Sequence, residues 1–187
     1  MSKRSIYLLA TNTKKPISSI IRMYTREQFN HASITFDKSL IESYSYSMRA
    51  KGFVREDLKE WPMWSEFELY ELEVTQASYK AIRRFVEHES KAKRSFSYSG
   101  IAGIMINRPI QSEEAMFCSE FVENACLAGG LPPSASSPAL TTPSQVVKRV
   151  DTKLVASGIL HQYIVANFSK TQKLITETYT LSELDLF

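Results

Sequence analysis

Cys118 and His31 are the residues whose types and settings best support covalent chemistry. A cysteine nucleophile reacts as the thiolate, so it needs a base that titrates near neutral pH, and histidine is the usual one. Cys118 lies in "AMFCSEFVENAC" (115–126), in the first turn of a predicted helix. Unpaired backbone N–H groups and the helix dipole favour a thiolate and an oxyanion there. The alternative is a packed core thiol, because Phe121 and Val122 share a helix face with Cys118.

The second cysteine, Cys126, lies two turns further along the same predicted helix and is expected to belong to the core. Eight helical positions separate the two Cα atoms by ~12 Å, and a disulfide requires less than about 7 Å. The pair is therefore predicted to be two free thiols, which suits a reducing compartment. The acidic neighbours Glu113, Glu114 and Glu120 oppose activation of Cys118, because negative charge raises the pKa of a thiol.

Three histidines are available as the base: His31, His88 and His161. His88 falls on the polar side of a predicted helix, and His161 is expected to open a late strand; both are interpreted as surface residues. His31 begins "HASITFD" (31–37), where His31, Ser33 and Thr35 alternate with apolar residues. A rigid strand can aim an imidazole, so His31 is the favoured base. The alternative is a histidine that hydrogen-bonds to a loop at the start of a strand.

The elements that must position these residues follow from the periodicity of apolar side chains. The predicted strands cover 5–11, 31–37, 40–48, 52–57 and 66–75, with a tight turn at 37–39, and alternation recurs in "TKLVASG" and "HQYIVAN". The predicted helices are a short one after Pro16, then 76–91, a buried one near 97–106, the cysteine helix 117–128 stopped by Gly129 and Gly130, and 143–150. One α+β domain over residues 1–187 accommodates them.

Composition narrows the class of protein. The chain has 187 residues, 43% of them hydrophobic and 11% aromatic, which is typical of a globular protein with one good core. The net charge is only +3 and the basic residues are dispersed, so no nucleic-acid partner is expected. No apolar run approaches the ~18 residues of a membrane span, and no signal peptide is evident. A cytoplasmic location is expected, and no metal or phosphate-binding motif predicts a cofactor.

Two stretches resemble a known family. "FNHASITFDKSLIESYS" (29–45) and "FCSEFV" (117–122) resemble the permuted branch of the NlpC-type papain-like cysteine hydrolases, in which the histidine strand precedes the cysteine helix. Lecithin:retinol acyltransferase-like enzymes share this plan. The "TPSQVV" segment (142–147) is also similar to a short helix that follows in such proteins. The resemblance covers about residues 5–150 and implies a circularly permuted papain-like fold, with an antiparallel sheet and packed helices.

The resemblance also implies roles for three side chains. Cys118 attacks a carbonyl carbon, His31 serves as base and then acid, and the backbone N–H of Cys118 is one oxyanion donor. Glu42, in "LIES", matches the polar third position and would orient His31 from across the hairpin. A slip of one residue in the strand register would instead turn Ser43 or Ser45 inward.

The implied function is a thiol-dependent hydrolase that cleaves an amide or peptide-like bond through an acyl-thioester. Two alternatives remain at this point. One is a lipid acyltransferase or thioesterase acting on an acyl ester, whose acyl pocket would use the 98–106 segment and the loop with Trp61 and Trp64. The other is a binding module that keeps the fold without catalysis. The retention of Cys118, His31 and Glu42 together favours an enzyme.

Overall fold

The structure, a computed structural model, describes residues 3–13 and 27–167. It is an α+β fold built on an eight-stranded mixed sheet. The strand order is β7-β6-β4-β3-β2-β1-β5-β8, and neighbours are antiparallel except for the parallel β6–β7 pair. The strands are β1 Lys3–Asn12, β2 His31–Thr35, β3 Ser43–Ser47, β4 Gly52–Arg55, β5 Glu66–Thr75, β6 Ser95–Phe96, β7 Ala115–Met116 and β8 Lys153–Ile159.

Five α-helical segments lie in the described part of the chain, together with two short 3₁₀ turns at Leu58–Glu60 and Pro138–Leu140. The helical segments are α1 Gln76–Ala92, α2 Tyr98–Met105, α3 Cys118–Ala128, α4 Pro143–Val147 and α5 at 160–167. Threonine or serine side chains cap the first turns of α1, α2 and α4, because each accepts a backbone N–H that the helix leaves unpaired.

The sheet has an apolar cluster on each face, as alternation along a central strand requires. In β1, Ile6 and Leu8 belong to the larger cluster, which also contains Phe121 of α3, whereas Leu9 points to a smaller cluster with Leu69 of β5. The larger cluster carries α1 and α3 against the sheet. The side chains of β2 therefore divide between a helix-covered face and the opposite face.

The predicted elements are mostly present, with three corrections. Residues 160–167 are helical rather than a strand, so His161 does not open a late strand. The 97–106 segment is a helix that is only partly buried, with Tyr98 60% exposed. The sheet is mixed rather than wholly antiparallel, because β6 and β7 run parallel. The helix predicted after Pro16 lies outside the described residues.

Helix α2 approaches the start of α3 closely. A Cβ atom on Gly100 in α2 would lie 2.7 Å from the ring of Phe117, the residue that precedes α3. Only a glycine permits this approach, because real Cβ contacts of that length do not occur. Consequently α2 packs directly against the start of α3.

Candidate active site

Cys118 is the first residue of α3, as the sequence predicts. The parallel pair β6–β7 ends just before it, and Phe117, in an extended conformation with φ −113° and ψ 171°, turns the chain into the helix. Phe117 is fully buried, which anchors this turn in the core. The Cys118 side chain is 5% exposed, and α3 ends at Gly129, followed by Gly130 in the left-handed region.

His31 is the first residue of β2, and its ring lies close enough to the Cys118 thiol for each group to shift the pKa of the other. The structure therefore brings these two predicted residues together. In β2, Ala32 and Ile34 belong to the larger cluster beneath α3, and His31 alternates with them. At this end of β2 the imidazole and the thiol line the same cleft.

Glu56 supplies the carboxylate that contacts His31. Its Oε1 lies 2.7 Å from His31 Nε2, and its side chain is only 3% exposed. The second carboxylate oxygen accepts a hydrogen bond from the hydroxyl of Ser33, two residues along β2. Because Nε2 faces Glu56, the other ring nitrogen, Nδ1, is the one left for Cys118. Cys118, His31 and Glu56 thus form a continuous chain in which the thiol and the carboxylate are buried and the imidazole is 13% exposed.

The predicted contact between Glu42 and His31 is wrong. The backbone N–H of Phe36 donates to the carbonyl of Glu42, so the hairpin places Glu42 opposite a residue five positions from His31. At ~3.3 Å per residue this is about 16 Å along the strand. Glu42 instead forms a half-exposed ion pair with Arg83 of α1, 2.6 Å between Oε2 and Nη1.

The Glu56 side chain extends across β3 to reach His31, because β3 lies between β4 and β2 in the sheet. Glu56 follows β4, and its backbone N–H donates to the carbonyl of Ser43 in β3. Ser43 and Ser45 are fully buried and have short side chains, which leaves room for a carboxylate to pass from β4 to β2. Ser43 and Ser45, the alternatives under a register slip, donate to the carbonyls of Leu40 and Ala32 and do not contact His31.

The electrostatics of the site favour a thiolate–imidazolium pair. Burial opposes the charged form of His31, but the carboxylate of Glu56 and the Cys118 sulfur outweigh it and raise the His31 pKa to about 10. Burial likewise opposes a Cys118 thiolate. The charge and hydrogen bond of His31, with backbone hydrogen bonds from Ala32 and Ser119, outweigh that burial and lower the Cys118 pKa.

The other candidate thiol and bases lie in different surroundings. Cys126 is fully buried, and burial raises its pKa to about 12, with Glu123 adding to the shift and Arg149 opposing it. The His88 side chain is 70% exposed on α1 beside Glu89. The predicted surface position of His88 and core position of Cys126 are confirmed.

Trp61 packs against the imidazole of His31. The sequence predicts only that Trp61 lies in an aromatic loop. Its ring centroid lies 5.1 Å from that of His31, with the planes tilted by 53°. An aromatic ring within about 6 Å of a cation attracts it. Trp61 is therefore placed to favour the charged form of His31.

The chain of three residues opens on a cleft of about 700 Å³. Cleft volumes of this order accept small organic ligands. Apolar and aromatic side chains line most of its walls, and charged residues of both signs also line it: Met48, Val54, Trp61, Phe96, Tyr98 and Ile101 are apolar or aromatic, and Arg49, Arg55 and Glu60 are charged. Cys118 is itself one of the residues that line this cleft.

Two comparisons with known protein sequences give no match for this chain. A scan against models of protein families finds no matching family, and a search of curated proteins finds no similar sequence. Within residues 3–13 and 27–167 no three histidine, cysteine or acidic side chains form a group able to hold a metal ion. None of the helices in these same ranges is both long and apolar enough to cross a bilayer.

Proposed function

We propose that the protein is a thiol-dependent hydrolase that cleaves an amide or peptide-like bond through an acyl-thioester. The observation that carries the proposal is the chain from Cys118 through His31 to Glu56 at the wall of a ligand-sized cleft. In this proposal Glu56 takes the orienting role expected of Glu42. The resemblance to the permuted papain-like hydrolases and a cytoplasmic location are parts of the same proposal.

The reaction begins with the thiolate. The Cys118 sulfur attacks the substrate carbonyl carbon, a C–S bond forms, and the carbonyl π electrons move to oxygen. Collapse of this intermediate expels the amine, which takes a proton from the His31 imidazolium. Water then gives a proton to His31 and attacks the thioester, and the second collapse releases the acid and restores the thiolate. Glu56 holds the ring orientation and stabilises the imidazolium throughout.

A second candidate is an acyltransferase or thioesterase acting on an acyl ester. The observation that favours it is the apolar wall formed by Trp61, Phe96 and Ile101 beside Cys118. Such a wall matches an aliphatic acyl group better than a charged peptide. Both candidates use the same thioester and differ in the leaving group and the final acceptor.

The test begins with acylation of the intact protein. We expect p-nitrophenyl butyrate to acylate Cys118 and leave Cys126 unmodified, as mapped by mass spectrometry of the trapped thioester. Cys126 is the internal control, because it is equally a thiol but is fully buried. Cys118→Ala should abolish release of nitrophenolate, and His31→Ala should lower it about 100-fold or more.

The leaving group is then varied to separate the two candidates. A panel of fluorogenic peptidyl amides is expected to be hydrolysed at the same site, whereas turnover restricted to esters would favour the acyltransferase or thioesterase. Labelling of Cys126 at the rate of Cys118, or nitrophenolate release that survives Cys118→Ala, would overturn the thiol mechanism. Absence of any acylation would favour a binding module.

A further inference from the structure

Asn30 lines the same cavities as the Cys118 thiol. It directly precedes His31 and alternates with it, so its side chain lies on the helix-covered face of the sheet, together with Ala32. Asn30 is 8% exposed. Its backbone N–H donates to the carbonyl of Thr11, which extends the β1–β2 pairing by one residue. Asn30 is therefore held on a rigid element beside the start of α3.

Two cavities meet at Cys118, and Asn30 belongs to both. One is the large cleft, and the other is a small apolar cavity bounded by α2 and α4. Among residues 3–13 and 27–167, only Asn30, Ile101 and Cys118 line both of them. Of these three, Asn30 alone carries a side-chain N–H group. A carbonyl that reaches the sulfur from the cleft consequently meets one amide side chain at the junction.

The orientation of the Asn30 amide follows from its partners. The backbone N–H and the hydroxyl of Thr13 both lie 3.4 Å from Oδ1. A backbone N–H can only donate, so the atom that faces it must be the amide oxygen. The nitrogen, Nδ2, then donates to Asn12 Oδ1 at 3.3 Å. An amide nitrogen has two protons, and among the described residues Asn12 is the sole acceptor that Nδ2 contacts.

We propose that the second Nδ2–H of Asn30 is an oxyanion donor, which acts beside the backbone N–H of Cys118 when the sulfur attacks a carbonyl. This inference rests on the proposed function. During attack the C–S bond forms and the carbonyl π pair moves onto oxygen, where both N–H groups donate without transferring a proton. A neutral amide suits this role, because it stabilises the developing charge and leaves the thiolate of the resting site unprotonated.

Two reagents separate this role from thiolate activation. Acylation by p-nitrophenyl acetate passes through a tetrahedral oxyanion, whereas alkylation by iodoacetamide displaces iodide without one. We expect Asn30→Ala to lower the rate constant of Cys118 acylation on the order of 100-fold while alkylation changes little. Asn30→Asp, which is nearly isosteric and keeps an acceptor for Thr13, should show the same selective loss in the ratio of acylation to alkylation.

The matched control is Asn12→Ala, which removes the hydrogen bond between the two amides but leaves the Asn30 donor in place. It should retain the wild-type ratio. If both Asn30 variants keep the wild-type ratio while Cys118 of the wild type acylates rapidly, the inference is overturned and the proposed function stands. If wild-type Cys118 acylates no faster than a free thiolate of equal pKa, both fall. An equal loss of acylation and alkylation in both variants would assign Asn30 a structural role instead.

Discussion

Glu56 differs from the other acidic residues near the site in that its carboxylate has both oxygens engaged by β2, one with His31 and one with Ser33. The contact with Ser33 fixes the carboxylate, and the carboxylate in turn fixes the ring. A residue that orients a base is expected to change the pH range of activity more than the fold.

Replacing Glu56 with glutamine should make the thiolate harder to form. The His31 pKa is raised by the Glu56 charge, so imidazolium persists from low pH up to about 10 in the wild type. Without that charge the imidazolium is less stable, and the Cys118 pKa, which the imidazolium lowers, must rise. We expect the acidic limb of the profile of Cys118 alkylation against pH to move upward by about one unit or more.

The matched control is Glu42→Gln, which removes a carboxylate from the Arg83 ion pair and leaves His31 untouched. Its alkylation profile should superimpose on that of the wild type. A shift in the Glu42 variant and none in the Glu56 variant would return the orienting role to Glu42.

At this scale the sequence predicted the pairing of Cys118 with His31 but not the third residue. Hydrophobic alternation shows which face a strand residue occupies, and a helix start is visible from its first turn. Neither pattern shows that the buried serines of β3 let a side chain cross from β4 to β2. The weak signal was the pair Ser43 and Ser45, whose small size leaves room on the His31 side of the sheet.

At the scale of elements, the start of α3 holds both a thiol with a lowered pKa and a buried carboxyl group, whose negative charge would oppose the thiolate. Its first turn stabilises the Cys118 thiolate, yet the same turn contains Glu120, which is 5% exposed. Burial raises the Glu120 pKa to about 7, although the N–H of Phe117 and the charge of Arg94 oppose the shift. Below that pH the carboxyl is neutral and adds no repulsion to the thiolate.

Glu120→Gln should therefore change the stability of the protein in a pH-dependent way. A carboxyl whose pKa is higher in the folded state stabilises the fold below its ordinary value of 4.5, and this contribution is lost as pH rises through about 7. The variant should be more stable than the wild type by about 2–3 kcal/mol at pH 8, with a smaller difference at pH 5. Urea unfolding of both proteins at the two pH values measures it.

His31 and Cys118 titrate in both the wild type and the variant. The change with pH in the stability difference between the two proteins therefore isolates the contribution of Glu120. The glutamine oxygen can still accept the Phe117 N–H, so the start of the helix is preserved. A stability difference that is the same at pH 5 and pH 8 would contradict an ionisable, buried Glu120.

The elements themselves were predictable where one periodicity dominates. β5 alternates over its full length and was predicted with its observed bounds. Residues 160–167 were not, because Tyr163, Val165 and their neighbours alternate like a strand over a stretch too short to exclude a helix. Leu160 and Ile164, four residues apart, are the ones that the fold buries.

At the scale of the whole molecule, a buried ion pair joins α3 to the segment after α4. Arg149 and Glu123 are 3% and 1% exposed, and their side chains lie 2.5 Å apart. The backbone and hydroxyl of Ser134 also donate to Glu123, and Arg149 donates to the carbonyl of Pro132. This network ties the loop after α3 to its helix, away from the cleft.

Removing one member should destabilise the fold strongly. Arg149→Met leaves the Glu123 carboxylate buried and unpaired, which we expect to cost about 3–5 kcal/mol of unfolding free energy. Combining it with Glu123→Gln should recover a large part, since the glutamine oxygen still accepts from Ser134. Urea unfolding at pH 7 measures both variants.

Lys148→Met is the control for charge alone, because Lys148 is 52% exposed and forms a surface pair with Glu68. It should cost less than about 1 kcal/mol. Comparable losses of unfolding free energy in the Lys148 and Arg149 variants would show that burial of the Arg149–Glu123 pair does not increase its contribution to stability.

The order of the site residues along the chain has a consequence for synthesis. His31 and Glu56 lie in the first third of the chain, on and directly after strands that can pair before α3 exists, whereas Cys118 comes some sixty residues after Glu56. At roughly 5–20 residues per second, several seconds separate their emergence. Until α3 docks, Cys118 has an ordinary thiol with a pKa near 8.5. The lowered Cys118 pKa therefore arises only with the finished fold, and a nascent or misfolded chain carries only ordinary thiols.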